Sequence, residues 1–184
     1  MPEITEAIVS QIYLRRHADV RFIDQTILST WRIYLVSVQP VRLYIEPVLN
    51  KPVELITDFI GLDNIAGDMI ETMLAYNGIG LAANQIGLNK NLAALYLEDK
   101  TKILVVANII ITGYTKETDD LVEGCLSCPG VSVKMRRAKS VRVECQRLNG
   151  EKVNLEFTGY DARIVQHEVD HLNGKLIINN LMKL

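Results

Sequence analysis

The chain has 184 residues, 48% of them hydrophobic and 23% charged, with a formal net charge of −2. That length supports one domain with a substantial core, and the composition is that of an ordinary globular protein. The slightly acidic balance argues against nonspecific nucleic-acid binding or attachment to an anionic membrane as the main role.

Residues 1–40 read as an N-terminal extension of unassigned role. Ile8 and Ile12 could share one face of a short helix, and Ile33, Leu35, Val36 and Val38 form a strand-like run that Pro40 ends. No secretory signal is expected, because Glu3 and Glu6 come early and no apolar stretch follows them. A transit peptide is equally unexpected, since Glu3, Glu6, Asp19 and Asp24 sit among the arginines. His17 and Trp31 read as packing or surface residues.

From Val41 to Leu184 the pattern is that of one folded domain. Asp63 is placed to cap a helix that buries Ile65, Met69, Ile70, Met73 and Leu74, with Asn77-Gly78 as its stop. Gly78-Ile-Gly-Leu-Ala-Ala-Asn-Gln85 follows. As a dinucleotide fingerprint it is weak, because it follows a helix and Ala83 stands where the last glycine would fall. Leu92 to Leu97 and Lys102 to Ile111 read as strands joined at residues 98–101. The apolar run from Ile103 to Ile111 is too short to span a bilayer. A short strand is expected around Val131–Val133. Ser140 to Leu148 and Lys152 to Thr158 flank Asn149-Gly150, a hairpin signal, with Val153, Leu155 and Phe157 alternating inward. Gly159 to Asn173 reads as a helix stopped by Gly174, and Leu176 to Ile178 as a last short strand. Hairpins with two separated helices indicate an α+β fold.

Three cysteines are an odd, low count, which fits a reducing compartment better than a disulfide framework. Cys145 alternates with valines and reads as a core residue. Cys125 and Cys128 form a Cys-x-x-Cys. The strongest motif is Gln166-His167-Glu168-Val169-Asp170-His171. Histidines four apart lie on one helical face and can grip one metal ion, and the adjacent carboxylate can reach water bound to it. A third histidine downstream would fall at position 177, which is Ile177, and no acidic residue occurs from Leu172 to Leu184. The third ligand must therefore come from upstream, and Cys125 in Glu123-Gly-Cys-Leu-Ser127 is a better candidate than the distant His17. Two other readings stay open at this point: a zincin-like endopeptidase, and an inactive metal-binding relative. A closed zinc site using Cys128 as a fourth ligand is disfavoured.

Together, the segments 78–85, 123–127 and 166–171 occur in the order and rough spacing of peptide deformylases, and the chain resembles that family from about Val41 to its end. The resemblance implies antiparallel sheets packed around a central C-terminal helix carrying the two histidines, with 41–184 as the catalytic domain. It implies Cys125, His167 and His171 as metal ligands with water in the fourth position. Glu168 would be the general base and then the acid, and the Gln85 amide and the Leu126 N–H would stabilise the oxyanion. Gly80 and Gly124 would let an extended peptide approach, and Ile79, Ile164 and Leu126 would line its methionine pocket. Arg137 would contact the far end of the substrate. The implied ion is Fe2+, with Zn2+, Ni2+ or Co2+ as substitutes in vitro. The implied substrates are N-formyl-methionyl nascent peptides, met in passing at the ribosome in the cytoplasm of a bacterium or of a phage-infected bacterial host, or alternatively in an organelle, without nucleic acid or membrane as partner. Some relatives dock on the ribosome through a C-terminal helix, and only thirteen residues follow His171 here. Cys128 is expected to be able to bridge Cys125 once metal is lost.

Overall fold

A computed structural model describes residues 37–97 and 103–183. The helix at Ile8–Ile12, the strand positions Ile33–Val36, His17, Trp31 and the junction 98–101 lie outside these residues. The described chain is already docked before Val41. The Ser37 N–H donates to Asp68 Oδ1 at 2.7 Å, and the Gln39 N–H donates to Thr72 Oγ1 at 2.9 Å.

The order is α1 (Leu62–Ala75), β1 (Gly80–Ala82), a 3-10 turn (Ala83–Ile86), β2 (Leu92–Tyr96), β3 (Ile103–Tyr114), β4 (Thr118–Gly124), β5 (Ser132–Ala138), β6 (Ser140–Gln146), β7 (Lys152–Thr158), α2 (Gly159–Leu172) and a 3-10 segment (Ile177–Lys183). Strands β1-β2-β3-β6-β7 form one antiparallel sheet, and β4 and β5 form a separate antiparallel pair. The architecture is α+β. Among the described residues no helix is long and apolar enough to cross a membrane.

Side chains alternate across a strand, so β2 and β3 serve two cores at once. Ala93, Leu95 and Val106 face α2, packing with Ala162, Ile164, Val165, Val169 and Leu172. Leu92, Ala94, Val105 and Ala107 face α1, packing with Leu62, Ala66, Met69, Ile70 and Met73. Helix α2, the one that carries the paired histidines, is thereby held against the sheet. The apolar run in β3 is interrupted by Asn108, which adopts φ 51° where the β3–β6 register shifts. Its side-chain amide donates to Ile56 O and Gln146 Oε1, and its carbonyl accepts from the Ile56 N–H.

Three local expectations change. Gly61 at φ 76°, not Asp63, occupies the cap of α1, and Asp63 sits inside the first turn, where a carboxylate still suits the helix dipole. Residues 176–178 do not form a strand. Asn179 Oδ1 accepts the Leu176 N–H at 2.6 Å, and the Asn179 N–H returns to Leu176 O, which curls the chain into 3-10 turns. The strand expected around Val131–Val133 runs from Ser132 to Ala138, and its partner β4, Thr118–Gly124, extends upstream of Glu123 into residues to which the sequence reading gave no element.

Candidate metal centre

Helix α2 buries Ile164, Val165, Val169 and Leu172 against the sheet, while His167 and Glu168 line a cleft of about 520 Å³. The turn after β4 brings Cys125 to the same place. Cys125 Sγ lies 3.2 Å from His171 Nε2, and the two Nε2 atoms lie 3.3 Å apart. The three donor atoms all fall within 4.8 Å of one another. One sulfur and two imidazole nitrogens aimed at a common point are a donor set that fits a transition-metal ion.

Behind the cradle stands Glu123, which the motif reading had left without a role. His167 Nδ1 lies 3.0 Å from Glu123 Oε2. An ionised carboxylate can only accept, so Nδ1 carries a proton, which leaves Nε2 as the nitrogen that can give its lone pair to a metal. Arg137 forks onto Glu123 at 3.0 and 2.9 Å, and Arg163 Nη1 adds a third contact at 2.6 Å. Burial alone would raise the Glu123 pKa, but the bonds from His167 and Arg137 bring it down to about 2. Burial, and then the charge of His167, hold His171 well below the ordinary histidine value, so it stays neutral and able to ligate. The hydrogen bond with Cys128, and then burial, keep the Cys125 thiol protonated in the metal-free site. An ion must therefore displace that proton, and its affinity should rise with pH.

Arg137 does not reach the far end of the cleft. It is 7% exposed, it does not line the cleft, and its guanidinium is committed to Glu123 and Asp170. An arginine beside two carboxylates behind the metal cradle balances their charge. Arg163 was missed altogether. It bonds Glu123, Met135 O and Asp119, and it also borders the cleft. The available signal was a cation inside the otherwise apolar stretch Ala162–Val165.

The other sequence-named residues gather around the cleft. Ile79, Gly80, Gln85, Gly124, Leu126 and Ile164 all line it. Gln85 is 1% exposed, and its Oε1 accepts the Ala82 N–H at 2.8 Å. Its Nε2 therefore points the other way, to Ser127 Oγ at 3.2 Å and toward Cys125 Sγ at 3.9 Å. Space is open beside Gly124. At Gly80 a Cβ would lie 2.2 Å from Glu168 Oε1, so this glycine makes room for the Glu168 carboxylate.

Glu168 is buried and its Oε2 has no hydrogen-bond partner in the protein. Burial, only partly offset by the charge of His167, pushes its pKa up to about 7 from 4.5. A carboxyl whose folded pKa lies above its unfolded value stabilises the fold most at low pH, and that stability is lost as pH rises through about 7. The loss is of order 3 kcal/mol, since one pKa unit is about 1.4 kcal/mol. Glu168→Gln is neutral at every pH. In metal-free protein it should match the native chain near pH 4.5 and be more stable well above neutrality, as read by urea denaturation at both pH values. An equal difference at both would exclude a buried titrating carboxylate.

The comparisons with known proteins point one way. The model of the family described as polypeptide deformylase matches residues 38–184. A peptide deformylase from Thermus thermophilus is 42% identical over 161 residues, covering 79% of this chain and 83% of that protein. A crystal structure of a Thermus thermophilus peptide deformylase superposes with a TM-score of 0.75 at 44% identity, covering 79% of this chain and 87% of that one. A class I type b peptide deformylase from Acinetobacter baumannii with Met-Ala-Ser bound gives a TM-score of 0.74 at 34% identity, covering 78% and 99%.

Proposed function

Because this chain belongs to the polypeptide deformylase family, we propose that it hydrolyses the formamide of N-formyl-methionyl peptides, releasing formate and a free amino terminus. The observation that carries this reading is the convergence of Cys125 Sγ, His167 Nε2 and His171 Nε2 beside the buried Glu168 in one cleft.

Cys125, His167 and His171 would hold the ion. When bound, a divalent metal there supplies Lewis acidity and lowers the pKa of water so that it attacks at neutral pH. One thiolate among imidazoles suits ferrous iron, which we take as the native ion, with zinc, nickel or cobalt able to substitute.

The remaining steps belong to the chain. Glu168, with its pKa near neutrality, takes a proton from the attacking water and returns it to the departing amine as the C–N bond breaks. The Gln85 Nε2–H and the Leu126 N–H stabilise the negative charge that develops on the formyl oxygen. Such donors are worth roughly 2.7–4 kcal/mol each. Ser127 and the Ala82 N–H fix the Gln85 amide in that orientation before substrate arrives. The peptide lies extended along β4 as an added strand, with Gly124 leaving it open space. Ile79, Leu126 and Ile164 receive the methionine side chain. Formylated chains exist where they are synthesised, so the enzyme works in the cytoplasm of a bacterial-type cell, in passing contact with ribosomes.

Formate release from formyl-Met-Ala-Ser, run beside casein cleavage with and without chelator, tests the reading. Chelator-sensitive formate release without casein cleavage is expected. Casein cleavage without formate release would replace this function with that of an endopeptidase. Gly80→Ala gives a finer test. The added methyl must displace the Glu168 carboxylate, and displacement by about 1 Å can cost roughly 10²-fold in rate. The variant should keep its metal and lose turnover by that factor, and unchanged kcat would refute the positioning role of Gly80.

A further inference from the structure

The chemistry above uses Cys125 and leaves Cys128 idle. The Cys128 N–H donates to Cys125 O at 3.0 Å, closing a β-turn. Residues one and four of such a turn have Cα atoms within about 7 Å, which overlaps the separation a disulfide spans. Both cysteines are free of disulfides, and both border the cleft. Cys128 is 1% exposed and packs with Val133, Met135 and Ile177, whereas Cys125 is only partly buried. An oxidant entering the cleft therefore meets Cys125 first and finds Cys128 directly behind it.

We propose that this turn is a peroxide-modification site in which Cys128 resolves the oxidised metal ligand into a reversible Cys125–Cys128 disulfide. Once metal has left, the Cys125 thiol gives up its proton and its sulfur attacks the O–O bond of the peroxide. A sulfur–oxygen bond forms and hydroxide departs. The Cys128 sulfur then attacks the Cys125 sulfenic acid, the sulfur–oxygen bond breaks, and water leaves. Two thiols lose two electrons and two protons, and one hydrogen peroxide becomes two waters. A dithiol reverses the bridge and returns the ligand. Without Cys128, the same sulfenic acid would proceed to sulfinic and sulfonic acids, which are irreversible without a dedicated enzyme. The consequence for metal binding rests on Cys125 being a ligand, but formation of the bridge does not.

The test treats the full-length, chelator-stripped protein with hydrogen peroxide, alkylates it and reads mass by peptide. The expected product carries two hydrogens fewer, with the bridge inside the 125–128 peptide and Cys145 alkylated. Dithiothreitol should then restore Co2+ binding, read by its thiolate charge-transfer absorption. Cys128→Val and Cys128→Ser, each checked for native circular dichroism, should instead accumulate sulfinic and sulfonic Cys125 at roughly tenfold or more above the native chain. Equal overoxidation of Cys125 with and without Cys128, or a bridge that uses Cys145, would overturn the proposal. Because the readout is mass and cobalt binding, it fails or succeeds independently of formate release.

Discussion

Glu168→Gln should lose turnover by roughly 10²–10⁴-fold, the range general acid–base catalysis commonly supplies, while retaining one metal ion per chain. The glutamine keeps the size of the side chain, so Gly80 still accommodates it and the helix that presents His167 and His171 is undisturbed. What it removes is a group that can hold a proton and release it. Glu168 is suited to both, because burial brings its pKa close to the working pH, and its Oε2 has no protein partner competing for the proton. The loss should appear in kcat, since Glu168 is not needed to hold the peptide along β4. Metal content measured with single-turnover formate release separates the possibilities. A variant with metal and near-native kcat would remove Glu168 from the proton transfers. A variant without metal would show that the residue instead supports the cradle.

His171→Ala should lose both metal and activity. The imidazole is 1% exposed, and its Nε2 is the atom nearest to both other donors, 3.2 Å from Cys125 Sγ and 3.3 Å from His167 Nε2. Removing it takes away the centre of the donor set rather than an edge. Altering a group that merely orients a ligand costs about 10–100-fold in metal affinity, so loss of a ligand itself should exceed that. The variant must be shown to fold. Its main-chain bond remains, because Asn84 Nδ2 donates to the carbonyl of residue 171 at 2.6 Å and does not depend on the imidazole. Competition with a zinc chelator, alongside circular dichroism, gives the answer. Native affinity in a folded variant would contradict the assignment of His171.

Much of this site was legible because its chemistry is written in short spacings. His167 and His171 share a helical face by their four-residue separation, and the lack of any downstream acid or third histidine pointed upstream to Cys125. The hairpin around Asn149-Gly150 and the buried face of α2 follow from turn chemistry and periodicity. What escaped was polar and long-range. Strand β4 sends Asp119 and Glu123 inward onto Arg163 and Arg137, so its inward side chains include charges, and hydrophobic periodicity does not announce the strand upstream of Glu123. The place of Arg137 in that cluster escaped for the same reason. Its partners, Glu123 and Asp170, are 14 and 33 residues away, and no local spacing announces a buried ion cluster. The place of Gly80 against Glu168 likewise exists only once β1 and α2 are packed together.

The central claim is that one thiolate and two imidazoles from separate parts of the chain hold one ion. X-ray absorption of anaerobically prepared protein loaded with one equivalent of zinc addresses it most directly. The expected spectrum shows one sulfur at about 2.3 Å and two imidazole nitrogens at about 2.0–2.1 Å, with the sulfur lost in Cys125→Ala and kept in Cys128→Ser. A spectrum with only nitrogen and oxygen neighbours, or one whose sulfur survives loss of Cys125, would contradict it.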